Sequence, residues 1–269
     1  MVNPVAPKAD RGDPARTVDA TVDAWWAALG MFATLQQGGS YRRSAHGICE
    51  LITGAPLPML NTISGAASDV DAAELAAFGA SPALGSLPWS IQVRGEDPAP
   101  HIVRTAAEYG LAQRSTSPLM IKVLDEGGLT DTGHAACRVR RVTGTDSDLY
   151  LTVMADGYEV PAELFTIFAT PAVLDHPAMW GYVAEEDGVA VATSLGILAD
   201  DHVGVFNIAV PLRHRRKGWY GTAVTTAVLQ QAYQAGARTA FLHSSPAGVP
   251  LYQSIGFAIA ENWTIFHTV

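Results

Sequence analysis

Three strand-like runs stand back to back past the middle of the chain: Trp180 to Ala184, Val189 to Leu198 and Val203 to Val210. Only Glu185-Glu186-Asp187-Gly188 and Ala199-Asp200-Asp201-His202 separate them, and both are compact turn sequences. Sequential runs joined by turns this tight make an antiparallel meander. The pattern then changes. Val210-Pro211 ends the third run, a loop of basic residues and glycine follows, and a helix begins near Thr222. Val224, Val228, Ala232 and Ala235 lie on one face of that helix, and Gly236 ends it. Arg238 to His243 reads as a strand, Val249 to Ser254 as a short helix, and Trp263 to His267 as a final strand after Gly256-Phe257. Strand, loop, helix and returning strand form a crossover unit on a mixed sheet.

The first half is less regular. Val18, Val22, Trp25, Trp26, Leu29, Phe32 and Leu35 recur at helical spacing, and the helix stops at Gln36-Gln37-Gly38-Gly39. His46 to Ser64 reads as short strands broken by Gly54, Pro56 and Pro58, Asp69 to Phe78 as a helix, and Trp89 to Arg94 as a strand. Pro100 to Tyr109 is helical up to Gly110, and Leu119 to Leu124 is strand-like. Asp125 to Ala135 holds three glycines among Asp, Thr and Glu, which marks a linker. The expected organisation is a disordered tail over 1–17, one domain over 18–126, a linker over 127–135 and a second domain over 136–269.

Bulk properties narrow the partners. The chain has 269 residues, enough for two domains, and its 48% apolar and 16% charged residues are ordinary globular material. Net charge is −9 and the only basic run is Arg213 to Lys217, so a nucleic-acid face is not expected. Cys49 and Cys137 read as free thiols in a reducing compartment, with no metal or redox motif near them. The first 17 residues lack a signal-peptide core, and no apolar run is long enough to span a membrane. The expectation is a cytoplasmic protein without membrane partners.

The chemistry concentrates in Arg213-His214-Arg215-Arg216-Lys217-Gly218-Trp219-Tyr220-Gly221-Thr222, between a strand and a helix. A helix N-terminus presents unpaired amides and the positive end of the dipole, which stabilises phosphate. Glycine lets backbone approach the ligand closely, and Arg and Lys supply charge. With Ile208-Ala209-Val210-Pro211 before it, this loop resembles the acyl-CoA motif of the GNAT acetyltransferases, Arg/Gln-x-x-Gly-x-Gly/Ala. A second element, Leu242 to Tyr252 followed by Ile255-Gly256-Phe257, resembles the strand-loop-helix of that family ending in Tyr-x-x-x-Gly-Phe. The resemblance covers about residues 137 to 269. One departure stands out: Gly218 and Gly221 enclose two residues where the family has one. Either Arg215 and Gly218 fit with Tyr220 replacing the small residue, or Gly221 fits with Trp219 replacing the first glycine.

The resemblance implies a mixed, mostly antiparallel sheet flanked by helices, and an N-acetyltransferase using acetyl-CoA as co-substrate and no metal. Residues Arg215, Arg216, Lys217, Gly218, Trp219, Tyr220, Gly221 and Thr222 would bind the CoA pyrophosphate. Backbone near Ile208 and Val210 would orient the thioester, and Tyr252 would protonate the leaving sulfur. The acceptor would be the amine of a small molecule, attacked directly in a ternary complex by a monomer or homodimer. Other acyl-CoA chemistry, with a longer acyl group or a decarboxylation, and a non-catalytic CoA-binding module are the alternatives. The general base is open among Asp201, His202, Asn207 and His243. The N-terminal half faintly echoes the crossover unit, as a degenerate copy would. Gly95-Glu96-Asp97, however, brings acid where phosphate needs base.

Overall fold

The computed structural model describes residues 14–66, 70–126, 137–217 and 219–268. The expected linker over 127–135 lies outside the described residues, as do residues 1–13 of the expected tail. Helix α1 spans Pro14–Thr34, so it starts inside the segment read as tail. Its apolar stripe is buried: Val22, Trp26, Ala28, Phe32 and Ala33 are each at most 1% exposed.

In the N-terminal half come β1 (Ser40–Arg43), β2 (Ile48–Ile52), β3 (Asn61–Gly65), α2 (Ala72–Gly79), β4 (Ser90–Arg94), α3 (Pro100–Glu108) and β5 (Gln113–Val123). Strand β1 was not legible as such, because Ser-Tyr-Arg-Arg is polar and mostly exposed at the sheet edge. Strand β5 is longer than the expected Leu119 to Leu124, since its polar first half pairs with another strand rather than packing in a core. In the C-terminal half follow β6 (Cys137–Arg141), α4 (Ser147–Tyr158), α5 (Pro171–Leu174), β7 (Met179–Glu186), β8 (Val189–Ala199), β9 (His202–Ala209), α6 (Tyr220–Gln234), β10 (Thr239–His243), α7 (Val249–Ser254) and β11 (Ala258–His267). A 3-10 segment, Ala162–Phe168, lies between α4 and α5, and another, Leu212–Lys217, between β9 and α6.

The meander read from sequence is β7, β8 and β9, paired antiparallel in order. Asp187 and Gly188 both take positive φ (52° and 79°) in the two-residue turn between β7 and β8, the conformation that matches strand twist in a tight hairpin. The crossover is β9–α6–β10, and its two strands are parallel.

All eleven strands join in one mixed sheet, ordered β1-β2-β3-β4-β11-β5-β10-β9-β8-β7-β6. Four strands lie beyond β11 and five beyond β5, so the order is nearly mirrored about the β11–β5 pair. In each half an antiparallel run leads to a parallel pair, β3 with β4 and β9 with β10. The last strand of each half then pairs inside the other: β11 beside β4, and β5 beside β10. On this arrangement the N-terminal counterpart of the β9–α6–β10 crossover is β3–α2–β4, not the β4–α3–β5 segment that the sequence order suggests. Helix α1 packs across β1 and β2 and also across β8, β9 and β10, so one buried cluster holds residues of both halves. Helix α6 covers β7, β8 and β9 from a separate cluster.

Candidate active site

The site begins with a fault in β9. Thr193 pairs with Ala209 but Leu195 with Phe206, so Asn207 and Ile208 together oppose Ser194. This is a bulge, and Asn207 carries it in the left-handed region at φ 51°. Asparagine tolerates that conformation better than most side chains. The Thr193 hydroxyl donates to the Asn207 carbonyl at 3.0 Å and holds the kink. On its other edge β9 pairs with β10 only at His202, Val203 and Gly204. Strand β10 instead continues along β5 through Leu242 and His243. The two parallel strands therefore part beyond Gly204 and Phe241. No strand among the described residues pairs with that edge of β9 past Gly204, which leaves backbone groups there for a ligand.

A cavity of about 560 Å³ lies at this parting. Ile208, Val210, Arg215, Tyr220, Gly221 and Tyr252, all singled out from sequence, line it together. Trp219 and Thr222 flank this wall without lining it. Gly218 and the side chains of Arg216 and Lys217 lie outside the described residues. Ser245 and Gly248 on the loop after β10, and Leu251 on α7, complete the far wall.

At the start of α6, Tyr220 is 1% exposed, with its ring packed beside Val224, Val191 and Ala184. Its phenol donates to Glu186 at the end of β7. The ring thus points into the core. Gly221 sits against the cavity wall, where an added Cβ would stand 3.1 Å from Leu251 Cδ1. This geometry favours the register in which Gly221 is the close-approach glycine. The first intrahelical bond of α6 runs from Ala223 N to Trp219 O, and among the described residues no side chain caps the N-terminus. The amides of Gly221 and Thr222 precede it, where a helix has no acceptors of its own. The cradle therefore fits an anionic phosphate group. At α2, the topological counterpart, the Asp71 carboxylate accepts from Glu74 N at 2.8 Å, so that end is capped from within.

The basic loop is tied to α4. Arg215 Nε donates to Val210 O at 2.9 Å, and its guanidinium pairs with Glu159 at 2.9 Å and with the Gly157 carbonyl. Arg213 pairs with Asp156. Gly157, Tyr158 and Glu159 at the end of α4 form a wall of the cavity that sequence reasoning missed. Gly157, which keeps α4 free of a side chain where it meets Ala209 and Val210, is the signal that could have found it.

Tyr252 is 9% exposed, and burial together with the nearby Tyr158 hydroxyl holds its phenol well above the usual range. It therefore stays protonated. Among the four residues left open as base, His202 bonds to Asp201 at 2.7 Å at the opposite end of β9 from the cavity. His243 ends β10 at the parting, and desolvation pushes its imidazolium down to about 3. Among the described residues, no group of three or more His, Cys, Asp or Glu could hold a metal ion, and no helix is long and apolar enough to cross a membrane.

Residues 149–257 match the family model described as "Acetyltransferase (GNAT) family". No curated protein matches the chain. Among solved structures, a GCN5-related N-acetyltransferase from Kribbella flavida is similar at a TM-score of 0.66 and 21% identity, over 93% of this chain and 95% of that one. A functionally unknown conserved protein from Staphylococcus epidermidis is similar at 0.61 and 13%, over 86% and 95%. A tandem GNAT protein from the clavulanic acid biosynthesis pathway is similar at 0.55 and 14%, over 93% and 95%. These neighbours give the chain a GNAT-like fold, and the family match over residues 149–257 supports an N-acetyltransferase enzyme.

Proposed function

We propose that the protein moves an acetyl group from acetyl-CoA to the amine of a small molecule, by direct attack within a ternary complex. The observation that carries this reading is the meeting of an uncapped helix N-terminus, a parted strand edge and a protonated phenol in one cavity. Amides at the start of α6 and the loop before it take the pyrophosphate, with Gly221 giving the close approach. Backbone at Ile208 and Val210, on the unpaired edge of β9, orients the thioester carbonyl and stabilises its oxygen as charge develops. The amine attacks neutral, and the carbon–sulfur bond breaks as the carbon–nitrogen bond forms. Tyr252 gives its proton to the departing sulfur, while the acylated nitrogen releases its surplus proton through solvent, from which the phenol is reprotonated.

The N-terminal half, residues 18–126, is on this reading a degenerate second copy joined to 136–269 by exchange of terminal strands. The matching parallel pairs and exchanged strands on the two sides of the sheet support it. The Asp71 cap supports a copy that does not bind CoA. The reading takes the protein to be cytoplasmic, as a monomer or homodimer. The test is release of free thiol from acetyl-, malonyl- and longer acyl-CoA with a panel of amines. Amine-dependent release that is fastest with acetyl-CoA supports the reading. Faster release from a longer or carboxylated donor moves the activity to that donor. No amine-dependent release from any donor contradicts it.

A further inference from the structure

Helix α1, from the other half of the chain, packs on β9 and β10, and its Trp25 lies against the residues where the two strands part. The Trp25 ring lies 4.3 Å from His243 and 5.3 Å from Phe206, centroid to centroid, and it also meets Phe241 and Trp263. Trp25 is 9% exposed, and among the described residues its buried indole N–H has no acceptor. Two further nitrogens there share that condition: Asn207 Nδ2 beside Phe206, and His243 Nε2 against the Trp25 ring. Tyr150 is wholly buried, and its hydroxyl has the Asn207 side chain as a hydrogen-bonding neighbour.

A buried donor without an acceptor costs about 1–3 kcal/mol, so several in one place need an explanation. The neighbouring Trp263 shows the contrast, since its N–H is satisfied by Glu261 at 2.6 Å. Trp26 also leaves its N–H unpaired, but it is wholly buried and has no route to a ligand. Phe206, Asn207 and His243, by comparison, are partly exposed. Trp25 Nε1 and Asn207 Nδ2 can only donate. The His243 ring brings no charge at neutral pH, because desolvation keeps it unprotonated. A site of uncharged donors between aromatic walls favours an uncharged oxygen acceptor over a carboxylate, which would arrive desolvated and unpaired.

We infer that the acceptor is an amine carrying an uncharged oxygen acceptor, such as a carboxamide carbonyl, close to its nitrogen, and that Trp25 of the N-terminal helix reads that oxygen. This rests on the acetyltransferase reading and gives α1 a part in specificity. Trp25 is a specificity residue here, and the bond-making step is unchanged.

Three matched probes test it: phenylalaninamide, phenethylamine and phenylalanine, which share an amine and a ring and differ in carboxamide, hydrogen and carboxylate. Binding of each to the full-length protein saturated with CoA is measured by calorimetry, for wild type, Trp25→Phe and Asn207→Asp. Wild type should bind the carboxamide at least tenfold tighter than either other probe. Trp25→Phe keeps an aromatic ring but loses the N–H, and should bring the carboxamide within about threefold of phenethylamine while CoA affinity stays the same. Asn207→Asp should weaken the carboxamide in the same direction and serves if Trp25→Phe fails to fold. CoA binding with equal affinity for the three probes, with no binding of the carboxamide, or with a preference that survives both variants overturns the inference and leaves the acetyltransferase reading standing. Loss of CoA binding by wild type sinks that reading and this inference together.

Discussion

A methyl group placed on Gly157 would stand 2.7 Å from the Cβ of Ala209 and 2.9 Å from the backbone nitrogen of Val210. The end of α4 thus lies directly on the bulged end of β9, with no room between them. Contact this close fixes the cavity wall to the strand that is to orient the thioester.

Gly157→Ala sets two effects against each other. Alanine gains up to about 1 kcal/mol of helix propensity, while overpacking against backbone costs about 1–3 kcal/mol. The backbone contact cannot relax as a side chain would, so net destabilisation is expected. Chemical denaturation should show a lower midpoint with an unchanged slope. A midpoint at or above that of wild type would contradict the close contact.

Tyr252→Phe should lower kcat by about 100-fold, the lower end of what general acids contribute, with the KM for acetyl-CoA within about twofold. Because the phenol is held above its usual value, it loses its proton only above pH 10. Activity should therefore rise with pH as the amine deprotonates and show no alkaline fall below pH 10. A wild-type decline between pH 8 and 9 would assign the proton to another group.

The pairing of Arg215 with Glu159 is solvent-exposed on both sides, at 43% and 53%, so it contributes at most about 1 kcal/mol to stability. It does, however, hold a cation away from an incoming phosphate. Glu159→Gln should tighten acetyl-CoA binding by about two- to fivefold, and Arg215→Ala should weaken it. Calorimetric titration checks both. Weaker binding in Glu159→Gln would mean that the pairing positions Arg215 for the ligand instead.

His243 links folding to pH. Its folded value, about 3, lies below the ordinary 6.5. The neutral ring therefore contributes stability that is present above pH 6.5 and is lost as pH falls toward 3. The slope should approach about 1.4 kcal/mol per pH unit, for one proton taken up on unfolding. His243→Asn should flatten that slope. An equal slope in the variant would place the proton elsewhere.

The C-terminal half was legible because its strands alternate tightly with turn chemistry such as Asp187-Gly188, and because the loop and Tyr252 occur in a recognisable order. Placement of the halves was not. Strand β5 begins Gln-Arg-Ser-Thr-Ser-Pro and is paired by partners almost 150 residues away, which no local pattern encodes. The position of Asp71 before α2, between two parallel strands as α6 is, was not legible either, because sequence order pointed to Gly95 instead. The two possible registers of Trp219 and Tyr220 could not be weighed from sequence, since only packing shows that the Tyr220 ring turns inward to Glu186.

The central claim, that acetyl-CoA binds at the start of α6, is tested most directly by thermal unfolding of wild type and Gly221→Glu with and without acetyl-CoA. Ligand at about 100 times its Kd adds about 2.7 kcal/mol, a rise in Tm of about 2–4 °C for a chain of this size. The account predicts that rise in wild type and none in Gly221→Glu, whose carboxylate would occupy the cradle, with the unliganded variant melting cooperatively as the control. No rise in wild type at millimolar acetyl-CoA, or an equal rise in both proteins, would contradict it.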